Sequence, residues 1–189
     1  MGFLDTILGG RKKLKPPAPD RLFAMTTAQV QLDAGLGLKP KGVAGIAFQQ
    51  VATADFKQIL ADTEELLHGS AEDTGTKIDS ADDEYGFRWV ILGDSDFDDL
   101  LVAMNTVSSE LQGGGYGDRL LCAVFPFAEN GRTIYFIYNF KRGSFYPFVP
   151  TGEKQRNTER EFQLRAQIGE ELPIEPEISR WLPLWDLPL

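Results

Sequence analysis

Residues 85–150 read YGFRWVILG (85–93), DSDFDDLLVAMNTVSSELQ (94–112), GGGYGD (113–118), RLLCAVFPF (119–127), AENG (128–131), RTIYFIYNF (132–140) and KRGSFYPFVP (141–150). The blocks predict strand, helix, strand, tight turn, strand and an aromatic exit segment. In the second block Phe97, Leu100, Leu101, Met104, Val107 and Leu111 recur with the 3.6-residue period of one helix face. Asp94 or Ser95 is placed to cap that helix, with Asp98 in capping-box spacing from Ser95. Asn130-Gly131 between two apolar runs is a strong short-range hairpin signal. Both flanking runs are apolar at nearly every position, which places them centrally, covered on both faces. Pro126 has no donor and predicts an edge or bulge at that point.

Upstream, KGVAGIAFQQ (41–50) predicts a first strand. Thr53 caps a helix running to about Leu67, with Gly69 as its stop. A shorter helix opens at Thr26 or Thr27 and fails at Gly35 and Gly37. Residues 70–84 are polar and acidic, expected as loop with a short strand near 76–79. Downstream, Thr158 and Glu161 stand in capping-box spacing for a last helix, 158–169. The close, ELPIEPEISRWLPLWDLPL (171–189), has too many prolines for a helix. Its Trp181, Leu182, Leu184, Trp185 and Leu187 are expected to pack on the body, the alternative being a free partner motif.

The chain has 189 residues, 42% hydrophobic and 25% charged, which suits one soluble domain with its own core. Its single cysteine, Cys122, excludes an intrachain disulfide and fits a reducing cytoplasm. No apolar run approaches the ~20 residues of a membrane span, and no secretory signal is visible. The net charge of −9 is unevenly spread. Residues 1–15 carry Arg11, Lys12, Lys13 and Lys15 against Asp5; the rest carries 15 basic and 27 acidic side chains. A body that acidic repels phosphate backbones, so nucleic acid is not an expected partner.

The head, MGFLDTILGGRKKLK, places Phe3, Leu4, Ile7 and Leu8 on one helical face with a basic collar behind them. Such a segment suits an anionic membrane surface or a partner protein; docking on the chain's own body is the alternative. Gly2 with Thr6 fits only a loose myristoylation pattern. KPPAPD (15–20) is a stiff extended linker. The chain therefore divides into a head and linker, 1–20, and one domain, 21–189.

Candidate chemistry is sparse. The 94–98 string DSDFD opens like a calcium loop, but its sixth position is Asp99 where Gly is needed and its twelfth is Asn105 where Glu is needed. The glycines 113–115 join helix to strand, the reverse of a phosphate-cradling loop. His68, the only histidine, is placed at a helix end, and no Ser-His-Asp constellation or metal-ligand cluster emerges. No cofactor is expected. The most unusual string is 141–148, where Lys141 and Arg142 stand beside Phe145, Tyr146 and Phe148, a candidate groove unless these aromatics re-enter the core.

Three strings together, MGFLD at the start, YNFKRGSFYPF (138–148) and LPIEPEISRW (172–181), resemble the PspA-associated protein family PspAB, head to tail. The resemblance implies a non-enzymatic accessory protein of the phage-shock membrane-stress response, working beside a PspA-like partner at the cytoplasmic face of the membrane. It transfers no catalytic residue. The expected fold is α+β: a mostly antiparallel sheet of about five strands with three main helices packed on it. Residues Phe3, Leu4, Ile7, Leu8, Arg11, Lys12, Lys13 and Lys15 are the expected membrane or partner contact. Two other classes stay open: a chaperone-like peptide-binding module, and a small-molecule enzyme with a carboxylate site near 141–148.

Overall fold

The computed structural model describes residues 21–189. The head and linker, including the expected membrane contact, lie outside the described residues.

The fold is α+β. Helix α1 (Ala24–Leu36) leads into strands β1 (Lys39–Pro40) and β2 (Val43–Gln49), then α2 (Ala54–Thr74), β3 (Lys77–Asp82), β4 (Phe87–Gly93) and α3 (Phe97–Gly113). Strands β5 (Leu120–Glu129), β6 (Arg132–Asn139) and β7 (Ser144–Phe148) follow. A small β8 (Pro150–Gly152) and β9 (Gln155–Arg156) pair, then α4 (Thr158–Ile168), complete the regular elements. The main sheet runs β3-β4-β2-β5-β6-β7, with β1 as a further partner of β5, seven strands in all. Every pairing between these strands is antiparallel.

The sheet is larger than the five strands expected. The added strands are β1, two residues on β5, and β7, where the aromatic exit segment pairs with β6. The strand expected near 76–79 forms as β3, KIDSAD, a charged edge that resists further pairing. The three main helices and the shorter one expected from Thr26 or Thr27 all form. Helix α1 forms without a side-chain cap and passes through Gly35, because Met25, Ala28 and Leu32 bury one face against the core and Gly37, at φ 69°, ends it. Helix α2 also outruns its expected stop. Gly69 stays helical, and the helix closes at Gly75, at φ 82°. Glycine stops a helix by entering the left-handed region, and only Gly75 does so. His68 is therefore an exposed residue inside the helix.

The cap at Thr53 forms as expected, its hydroxyl accepting from Phe56 N at 3.3 Å. Two caps shift by a residue or two. Asp96 caps α3, accepting from Asp98 N, and Asn157 caps α4, accepting from Arg160 N. Asn130 and Gly131 both have positive φ, 49° and 78°, the pairing a tight hairpin demands. Pro126 carries no bulge. Its carbonyl accepts from Lys41 N where β1 gives way to β2, so the missing donor falls opposite a break in the neighbouring strand.

Both sheet faces are covered, by different material. The helices bury Ile46, Phe48, Leu92, Phe125, Phe136 and Phe145 on one side. On the other, Trp89, Val124, Ile137, Tyr146 and Phe148 meet the C-terminal tail. The tail adds a parallel bridge between Ile174 and Phe145, then crosses the sheet. Trp181 is buried, its indole donating to Glu175 O at 2.9 Å, and the Tyr146 hydroxyl donates to Leu182 O at 3.0 Å. Trp185 stands edge-on to Phe148, ring centroids 5.0 Å apart, and Leu189 reaches Gly45. The tail is a packed layer.

Candidate functional site

The 141–148 string does not form an open groove. Phe145, Tyr146 and Phe148 lie on β7, where alternate side chains enter opposite cores. All three are buried, because the string is a strand covered on both sides. Lys141 and Arg142 sit in the exposed turn between β6 and β7. Asn139 Oδ1 accepts there from Lys141 N at 3.0 Å and Arg142 N at 3.2 Å.

Arg142 turns back to the tail. Its Nε donates to Glu175 Oε2 at 3.0 Å, and the Ser144 hydroxyl donates to the same oxygen at 3.0 Å. Glu175 Oε1 accepts from Glu177 N at 3.2 Å. Burial pushes the Glu175 carboxyl up, but the hydrogen bonds from Arg142, Glu177 N and Ser144 outweigh it and leave it below the usual carboxylate range. A second buried carboxylate, Glu161, accepts from Val149 N at 2.9 Å and from Arg156 Nε at 2.9 Å. Arg156 continues to Trp181 O at 2.7 Å and lies 5.2 Å over the Phe148 ring. Two arginine-carboxylate pairs thus clamp the tail beside β7. Held ionised by Arg142 and the Glu177 amide, the Glu175 carboxylate is a structural anchor rather than a proton donor.

An open cleft of about 580 Å³ lies elsewhere, between α1 and the turn entering α3. Thr26, Val30 and Asp33 form one wall, Lys41 and Gly42 the end, and residues 94–98 the other wall, with Leu100 at the base. Val30 is 60% exposed although it faces this apolar base. The 94–98 turn is fixed from both sides. Asp94 Oδ2 accepts from the Thr76 hydroxyl at 2.6 Å, Asp94 Oδ1 from Asp96 N at 2.9 Å, and Asp94 N donates to Gly42 O at 3.0 Å. These aspartates make a negative rim. Beside it, Asp99 is pushed above its ordinary value, by desolvation first and then by Asp96, Asp94 and Asp98.

No group of His, Cys, Asp or Glu suited to a metal ion occurs among the described residues. Asp94 and Asp96 serve as turn and cap acceptors. Cys122 packs against the tail-side core, where desolvation pushes its thiol up to about 12, unlike a nucleophile. Glycines 113–115 close α3 and turn the chain toward β5. Among the described residues no helix is long and apolar enough to cross a membrane.

The sequence reading missed the cleft. Its aspartates were visible as a cap, but the facing wall comes from α1, and nothing local announces that meeting. An exposed Val30 on an otherwise polar helix face was the only available signal.

No curated protein and no solved structure matches the chain. The family model for PspA associated protein B, PspAB, matches residues 1–189, and the chain belongs to that family.

Proposed function

We propose that this chain is a non-enzymatic accessory protein of the PspA envelope-stress machinery, peripheral to the inner face of the cell membrane through residues 1–15. The observation that carries the reading is the family match, which spans the chain from first residue to last, head included, and whose description suggests a role linked to PspA. The charge division supports the membrane part. Four basic side chains precede a body with 27 acidic ones, so only the head is drawn to an anionic surface. Each basic residue there contributes about 1 kcal/mol. Phe3, Leu4, Ile7 and Leu8 supply the apolar insertion.

The partner part is tested by mixing the purified full chain with the PspA-like protein of the same host and following co-sedimentation. A salt-sensitive complex is expected. Independent sedimentation of the two proteins at low and physiological salt contradicts the reading.

A further inference from the structure

The head joins the domain at the foot of α1, the helix that forms one wall of the acidic cleft. The described chain begins at Arg21, whose Nη1 donates to Gly143 O at 3.2 Å, and one wall of the cleft starts at Thr26. Six linker residues, 15–20, span roughly 19 Å if extended like polyproline. From Thr26 to Asp33 the α1 wall is only about 10 Å long. The head therefore reaches the whole cleft.

The chemistries are complementary. Four aspartates (Asp33, Asp94, Asp96 and Asp98) and Lys41 line the cleft, a formal −3 that Lys39, paired with Asp33, reduces to −2; residues 1–15 carry a formal +3. The exposed Val30 and the buried Leu100 offer apolar contact to Phe3, Leu4, Ile7 or Leu8. A short linker makes the association intramolecular, at millimolar effective concentration.

We propose that the cleft between α1 and the 94–98 turn is the docking site of the chain's own residues 1–15. The inference rests on the reading of that segment as the membrane contact and adds the place that withholds it from lipid. Docked, the basic collar faces the aspartates and cannot face a bilayer. Lipid and cleft compete for one segment, so a head held nine-tenths of the time lowers apparent vesicle affinity about tenfold.

The test uses the full chain with Ile7→Cys carrying a nitroxide and Cys122→Ala removing the other thiol, without lipid. Amides of Val30, Asp33 and residues 96–98 are expected to lose intensity to paramagnetic broadening, while those of residues 117–119, beyond the far end of α3, keep theirs. Raising salt to about 0.5 M, which shortens the screening length about twofold from its ~10 Å at 0.1 M, is expected to restore the cleft signals. So is the double variant Asp33→Asn, Asp98→Asn, which leaves the Asp96 cap in place and should bind phosphatidylglycerol vesicles more tightly than wild type. Broadening centred elsewhere, or none, overturns the proposal. Because the label measurement contains no lipid, its failure leaves the membrane reading standing; a head that docks but ignores vesicles refutes the membrane reading alone.

Discussion

Glu175 shows how one side chain settles the role of a segment. Its carboxylate gathers Arg142, Ser144 and the Glu177 amide, and its carbonyl receives the Trp181 indole. A basic-aromatic string that looks like a binding surface in one dimension is thereby committed to holding the tail. Glu175→Gln is expected to cost about 1–3 kcal/mol, the scale for disturbing a buried charged hydrogen bond, measured by chemical denaturation at pH 7. The carboxyl's folded pKa lies below its ordinary 4.5, so the unfolded state binds its proton first on acidification. Its stabilisation is therefore complete above that ordinary value and lost as pH falls through the folded one. The gap between wild type and Glu175→Gln should narrow below pH 4.5. A gap that widens with acid contradicts the assignment. Trp181→Ala, at the other end of the clamp, should cost ~3–5 kcal/mol as a large buried aromatic lost.

At the scale of elements, the tail is the least conventional part. Residues 172–175 are tied by backbone hydrogen bonds to β7, Phe145 N to Pro173 O and Glu175 N to Phe145 O, both at 2.8 Å. Beyond Trp181 the described contacts are mainly apolar side chains and the Tyr146 hydroxyl. Leu189 ends over Gly45, where an added Cβ would stand 2.7 Å from its Cδ2 and 3.2 Å from Trp89 Cε3. Gly45→Val should therefore lift the last turn of the tail. Cys122 lies on the same face and reports it. Deleting residues 182–189 should bring the thiol from about 12 toward its ordinary value, accelerating disulfide-reagent labelling at neutral pH by at least about tenfold, the gain in thiolate outweighing its lower nucleophilicity. Unchanged labelling, with a folded core by near-ultraviolet dichroism, contradicts the covering role.

The same elements show what the sequence discloses. The Asn130-Gly131 hairpin, the α3 stripe and the Thr53 cap were legible because each is set by neighbours within a few residues. The two-sided burial of β5 and β6 was legible because their apolar runs permit nothing else. The end of α2 was not, since Gly69 and Gly75 look alike until one of them turns left-handed. Strand β3 was only partly visible, being a polar edge whose partner, not its composition, makes it a strand. The cleft was hidden for a stronger reason: α1 and the 94–98 turn are far apart in sequence and meet only once the chain is folded.

On the scale of the whole molecule, a rigid acidic domain is joined to a basic amphipathic head by a proline-rich linker. The domain's two cores are closed by its own helices and tail, and the open feature, the cleft, is acidic. Under the proposed function this arrangement assigns membrane contact to the head, with binding governed by charge and release. The most direct measurement is flotation of the full chain with vesicles, compared with a chain lacking residues 1–15. The account predicts flotation with anionic but not zwitterionic vesicles, weakened by salt and abolished by the deletion. Absence of lipid-dependent flotation, or flotation that survives the deletion, would contradict it.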